Sequence, residues 1–349
     1  TLIRELAERL QIPVITTPKG KGIFPESHPL SLGVFGMGGH PSSRNFLAKG
    51  VDVTLAMGTR MGELSSQGWS SLLKPVRTLI HVDIEATQVG RSYATHICLT
   101  APVEHFLAEL LKRPELQRTT PAKRYGVEFY REASTSVATT PNRITSERAV
   151  VEIARRVGPR ARFTADSGEH MLYAIHYTPA EAHDTFLLQL GLGAMGGSIA
   201  AGIGLQVADP ERPVVVLCGD GGFLMCAGEV ATAAQAKLPV IFAVFNDHRL
   251  GMTELGHHAF YNRSPAFPTG PADLAALARS LGAEGYRIES PEQFDLVNLS
   301  RRRDCPVVLD IQVDPAAVFS KDVDSKRSWM TTEGQGAAAT PTGGSALHG

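Results

Sequence analysis

Two short runs, residues 214–218 and 240–245, are apolar at every position and rich in β-branched and aromatic residues. A strand with one wet face alternates apolar with polar residues, so an unbroken apolar run demands cover on both faces. Such strands belong in a mainly parallel sheet wrapped by helices, and the stretch between the two runs is long enough for a turn, a helix and a return. Residues 186–190 and 307–313 read the same way, with helices expected at Ser146–Val157 and 272–281. Earlier in the chain the theme repeats: a helix at Leu2–Leu10, strands at 13–17, Val53–Met57 and 78–84, and a helix at 102–111. The pattern predicts an α/β fold of two Rossmann-like doubly wound domains with mainly parallel sheets. Residues 1–118 form the first and 144–318 the second. The chain is polar and irregular over 113–142, where a linker, 119–143, with room for one short helix is expected, and the apolar-poor end 319–349 reads as a mostly disordered tail.

Charge narrows the partners. With 34 Lys+Arg against 35 Asp+Glu the net charge is -1, which excludes bulk electrostatics as a route to nucleic acid or an anionic membrane. Cys98, Cys218, Cys226 and Cys305 are scattered, without a CxxC pair or zinc spacing, a usage that fits a reducing cytoplasm. No apolar run approaches the ~20 residues of a membrane span, and no secretory signal pattern opens the chain. The first residue is Thr1, which suggests a piece of a longer polypeptide.

The densest chemistry follows the strand at 214–218. Gly219-Asp220-Gly221-Gly222 makes a sharp turn that presents backbone N–H groups and one carboxylate at the carboxyl edge of the sheet, a geometry suited to a phosphorylated ligand. Asp247 ends the next strand, so a strand–helix–strand crossover can bring two hard oxygen donors to one rim, as a magnesium site requires. Taken alone, GDGG is equally a tight turn and Asp247 a strand-end cap. A nicotinamide or flavin Rossmann reading is weakened because no GxGxxG follows an early strand with an acid about 20 residues on.

The stretch VVVLCGDGGF followed by VIFAVFNDHRLGM resembles the signature of thiamine-diphosphate enzymes, a GDG turn with an Asn-Asn pair about 25 residues later. The resemblance implies a cation held by Asp220, by Asp247 in place of the second Asn, and by the main-chain carbonyl of Arg249, with Asn246 matching the first Asn. Gly222 stands where a Ser is frequent. Upstream, LGLGAMGGSIAAGIGLQVA is similar to the segment that holds the aminopyrimidine, implying that the Gly193 carbonyl accepts from its amino group and that Met195 wedges the cofactor into a bent shape. TADSGEHMLYA resembles an acetolactate synthase segment whose Gln and His approach the diphosphate; His170 is kept, while Glu169 puts a carboxylate in place of the Gln. The implied contacts to cofactor are thus Gly193, Met195, Gly219, Asp220, Gly221, Gly222, Asp247 and His170.

GIFPESHPLSLGVFGMGG, LAMGTRMGEL and IHVDIEATQVG resemble the middle domain of acetolactate synthase-like enzymes, beginning without its first strand, so the match runs to about residue 318. In flavin-binding members Gly-x-Arg leads into an Asp-Asp-Arg cluster; here Thr59-Arg60-Met61 leads to Gly62-Glu63-Leu64, which weakens the case for FAD. LGMTELGHHAFY replaces the usual LGMVRQWQxxFY, so the Trp of the acceptor pocket aligns with Gly256, and His257 and His258, like His170, become candidate acids or bases. The resemblance implies thiamine diphosphate and Mg2+ as cofactors, a 2-oxo acid substrate such as pyruvate, and an acceptor for its two-carbon unit. Nothing in the chain matches the pyrimidine-binding domain with the family's catalytic glutamate, so a partner chain carrying that domain is expected, together with self-association. The rival reading is a non-catalytic structural or regulatory paralogue.

Overall fold

The computed structural model describes residues 1–116, 125, 135–263, 265–300, 304–317 and 319. In the first part, α1 (Leu2–Leu10), β1 (Val14–Thr16), β2 (Ser31–Val34), α2 (Pro41–Leu47), β3 (Val53–Met57), α3 (Glu63–Ser66), β4 (Thr78–Asp83), β5 (Ile97–Thr100) and α4 (Val103–Leu111) follow in order. Two small parallel sheets form there, β1-β2 and β3-β4-β5, in place of the one sheet expected of a doubly wound domain. Each has its own modest core, Ala7, Phe24 and Leu30 under the first and Ala56, Met61, Leu79 and Tyr93 under the second.

The second part holds α5 (Ser146–Val157), β6 (Arg162–Ala165), α6 (Glu169–Tyr177), β7 (Phe186–Leu188), α7 (Gly197–Ala208), β8 (Val214–Gly219), α8 (Asp220–Cys226), α9 (Glu229–Gln235), β9 (Ile241–Asn246), α10 (Gly251–Tyr261), α11 (Leu274–Ser280), β10 (Glu284–Ile288) and β11 (Val307–Gln312). Its six strands pair in parallel in the order β10-β11-β9-β8-β6-β7. Burial explains the unbroken apolar runs. Val215, Leu217, Ile241, Ala243 and Phe245 enter one core, while Val214, Val216, Cys218, Val240, Phe242 and Val244 enter the other, so alternate residues of the same strands feed opposite layers. The helix α5 forms as read: the Thr145 side chain accepts from the Arg148 amide as a cap, and Ala149, Val150, Ile153 and Val157 face the core at helical spacing. The linker read at 119–143 and the tail lie largely outside the described residues. Phe319, placed at the start of that tail, is buried edge-on to Tyr173 with ring centroids 5.0 Å apart.

The two parts meet through polar groups that are almost fully buried. Lys21 is ion-paired with Glu26, its Nζ lies 5.6 Å from the Phe186 ring centre, and Glu26 Oε2 accepts from the Ala180 amide at 3.1 Å. Nearby, His40 Nδ1 accepts from the Val34 amide at 2.8 Å, so its proton sits on Nε2, which donates to the His176 carbonyl at 3.0 Å. His176 Nδ1 in turn donates to the Gly39 carbonyl at 3.1 Å. Both rings are bonded in their neutral forms, and burial pushes both pKa values down, that of His176 to about 4.

The sign of the resulting pH dependence is fixed. For His176 the unfolded chain takes up the proton near pH 6.5 and the folded chain only near 4, so its contribution to stability is full above 6.5 and falls as the pH drops towards 4, and His40, also shifted down, acts in the same direction. For His176 the loss is about 3 kcal/mol at pH 4. Urea unfolding from pH 7 to 4 should show a falling midpoint, and His176→Gln should flatten that slope; identical slopes in both proteins refute the assignment.

Candidate functional site at the switch point of the large sheet

From β6 the chain passes outward to β7, then returns to the other side of β6 as β8. Loops after β6 and β8 therefore diverge to opposite faces, and parallel sheets open a ligand crevice at such a point. The residues lining the pocket there come from four strand ends: Ser167 to His170 after β6, Gly219 to Gly222 after β8, Asp247 and Arg249 to Thr253 after β9, and Val313, Asp314 and Ala317 after β11. Phe245, Met195 and Ser146 complete the wall.

Of the residues singled out in the sequence, His170, Met195, Gly219, Asp220, Gly221, Gly222, Asp247 and Arg249 meet in this pocket, and Glu169 joins them. Gly193, His257 and His258 are not among its lining residues. The Gly193 carbonyl accepts from Ser167 Oγ at 2.8 Å. His257 and His258 lie beyond the first turn of α10, which alone reaches the pocket, and His257 Nδ1 bonds the Arg263 carbonyl at 3.1 Å. Gly256 sits between that turn and the histidines, with nothing within 4 Å of where a Cβ would be. Asn246 turns inward: its Nδ2 donates to Asp310 Oδ1 at 2.8 Å, and its Oδ1 accepts from the His248 amide at 3.1 Å, bracing the turn that aims Asp247 outward.

The turn after β8 is tight for a packing reason. A Cβ on Gly222 would stand 2.5 Å from Asp166 Oδ2, and Asp166 is fully occupied, accepting from the amides of Gly196 at 2.7 Å and Ser198 at 3.2 Å. Asp166, which sequence reading passed over, thus holds the start of α7 and the Met195 loop against the GDGG turn. Burial and the nearby Asp247 charge push the Asp220 carboxyl up to about 6, against a hydrogen bond from Thr269 Oγ1. Burial also raises Asp247, although Arg249 Nε donates to its Oδ2 at 2.9 Å. Burial lowers His170 to about 4, leaving a neutral ring that is 6% exposed. Its Nε2 has no hydrogen-bond partner among the described residues. A buried, unsatisfied ring nitrogen in a pocket wall is a place for a ligand.

Glu169 and Asp247 converge: the Oε2 of one and the Oδ2 of the other lie 3.0 and 3.1 Å from the Cβ position of Gly251. Arg249 is the neighbour that offsets them, its guanidinium bonding Asp247, Glu254 Oε2 at 3.1 Å and the Pro315 carbonyl at 2.7 Å. Even so, four carboxylates (Glu169, Asp220, Asp247, Asp314) line the pocket against one guanidinium. A polyanion entering it needs a cation, and the hard oxygens of Asp220 and Asp247 suit a magnesium-like ion.

These features define a class: a doubly wound α/β protein with an acidic, glycine-turned crevice at the switch point of its large parallel sheet. Comparison with known proteins names the family. Residues 166–311 match the C-terminal TPP binding domain of thiamine pyrophosphate enzymes and residues 1–110 match their central domain, and the chain belongs to that family. It is 28% identical over 316 residues to acetolactate synthase isozyme 1 large subunit of Escherichia coli, covering 89% of this chain and 56% of that protein. It is 30% identical to the acetolactate synthase of Arthrospira platensis over 323 residues, covering 89% and 55%, and to the acetolactate synthase large subunit of Parasynechococcus marenigrum over 320 residues, covering 89% and 51%. The chain spans about half the length of the curated relatives it matches. Among the described residues no helix is long and apolar enough to cross a membrane.

Proposed function

We propose that this chain is the diphosphate-binding catalytic component of a cytoplasmic, thiamine-diphosphate- and Mg2+-dependent 2-oxo acid decarboxylase/carboligase that transfers a two-carbon acetyl unit from pyruvate to an acceptor. The pyrimidine-binding domain comes from another chain, and the assembly self-associates. One observation carries the reading: a switch-point pocket with a net acidic wall, an unsatisfied buried imidazole and a glycine turn, a combination that a diphosphate with its cation satisfies at once.

In this reading the carboxylates of Asp220 and Asp247 and the carbonyl of Arg249 hold the cation. The amides of the GDGG turn receive the diphosphate, and the His170 ring, kept neutral by burial, stands in the wall beside it. Glu169 turns its charge to Arg249 and the cation. Met195, half-buried at the pocket wall beside Gly221, supplies the apolar wedge. Thiamine diphosphate, when bound, supplies the carbon nucleophile and electron sink through which a 2-oxo acid loses carbon dioxide.

Calorimetric titration of thiamine diphosphate into the protein, with its pyrimidine-binding partner present, tests this. Binding is expected in millimolar Mg2+ and lost in EDTA. Equal affinity in both buffers would mean that the acidic wall is not a cation site, and the reading would fall.

A further inference from the structure

The two carboxylates of the cation site stand on separate turns, after β8 and after β9. One residue outside both turns joins them. Thr269 Oγ1 donates to Asp220 Oδ2, and the Thr269 amide donates to the His248 carbonyl at 3.1 Å, next to Asp247. Thr269 is itself held rigidly. The Leu250 amide donates to the Phe267 carbonyl at 2.8 Å, and Arg249 and Pro268 form an antiparallel bridge, so residues 267–269 are laced to 248–250 by backbone bonds. On the Asp247 side the Arg249 guanidinium provides the matching restraint on Oδ2.

We propose that Thr269 is a positioning residue of the cation site: its hydroxyl fixes the plane of the Asp220 carboxylate and, through its amide, sets the gap between Asp220 and Asp247. The inference rests on the reading of the pocket as a cation and diphosphate site. The physical reason is general. A bare carboxylate on a short side chain rotates, whereas one whose oxygen is pinned by a backbone-anchored donor offers its remaining lone pairs in one direction, and outer partners of this kind are worth roughly 10–100-fold in metal affinity. Mg2+ demands near-ideal octahedral geometry, whereas Ca2+ accepts irregular oxygen sets at longer distances. Loss of the Thr269 hydroxyl therefore penalises the smaller ion more. No local motif marks this residue, which stands 49 positions after Asp220.

The test is titration of thiamine diphosphate into the protein, with its pyrimidine-binding partner present, in Mg2+ or in Ca2+, for wild type, Thr269→Val and Thr269→Ser, each checked for an unchanged melting temperature. Thr269→Val keeps the shape and removes the donor; Mg2+-supported affinity is expected to fall by roughly 10–100-fold and Ca2+-supported affinity by clearly less. Thr269→Ser should restore both. A Val variant that binds as wild type does, or that loses affinity equally with the two ions, overturns the positioning role. So does a Ser variant that fails to recover. A wild type that binds no thiamine diphosphate with either ion instead overturns the reading of the pocket.

Discussion

Asp220→Ala abolishes Mg2+-dependent binding of thiamine diphosphate while leaving the ligand-free protein at least as stable as before. The first half follows from position. Asp220 is the one carboxylate on the GDGG turn, and loss of a direct ligand should exceed the roughly 10–100-fold that outer partners are worth, so affinity falls by more than about 100-fold. The second half follows from the energetics of the empty site. Burial, with Asp247 nearby, already holds the Asp220 carboxyl near 6, which means that the folded chain bears a charge it would rather neutralise. Removing that charge relieves the fold, as expected of a residue kept for binding rather than for stability. Calorimetry and a thermal melt on the same preparation check both halves; retained affinity would remove Asp220 from the site, and a large drop in melting temperature would make it structural.

A second large effect is expected far from the pocket, where the two parts of the chain meet. Lys21 and Glu26 are 1% and 4% exposed and carry opposite charges in contact. Burial drives the lysine pKa down and the glutamate pKa up, and each partner's charge opposes that drift in the other. Lys21→Met fills similar space but strands the Glu26 carboxylate beside the Ala180 amide, and breaking a buried pair in this way typically costs 3–5 kcal/mol. Adding Glu26→Gln keeps an acceptor for that amide without the charge, so the double variant should recover most of the loss. Denaturant midpoints of the single and double variants measure this. A single variant within about 1 kcal/mol of wild type would show the pair to be energetically idle, as many exposed ion pairs are.

Much of this molecule could be read before its structure, and the reason lies in where the signal is local. Strands β8 and β9 announce themselves because both of their faces are buried, and the GDGG turn because glycine is needed where a Cβ would strike Asp166. β5 carried no such mark: Ile97 is exposed, and the strand lies at the edge of a three-stranded sheet with a thin core. β2 hides for a different reason, since Ser31 and Gly33 break its apolar pattern although all four residues are buried. At the site, the turn residues that meet in the pocket, Gly219 to Gly222 and Asp247, were legible. Thr269, Asp166 and the side chain of Arg249 were not, because each acts through a partner that only the tertiary fold brings near. His257 and His258 were placed by alignment with a pocket residue, but His257 stands a full turn, about 6 Å of rise, beyond Thr253, the last residue of α10 that lines the crevice. Asn246 shows the complementary limit. Its partner Asp310 is 64 residues away, on the strand next to it in the sheet.

The helix α6 begins at Glu169 and His170 in the pocket and ends at His176 and Tyr177 against the first part of the chain. Nine residues span only about 13 Å, and over so short a length an α-helix behaves as a stiff rod. At its far end the His176 ring is pinned to the Gly39 carbonyl, while the His176 carbonyl receives the proton of His40. The middle of the rod, Met171 to Ile175, packs in the core of the second part, and these bonds to the first part add a second restraint on its roll about its own axis. The helix that carries His170 into the pocket is thus braced at its far end by a carbonyl and an imidazole at residues 39 and 40, so the first part of the chain, which adds no side chain to the pocket wall, supports one of its side chains from behind.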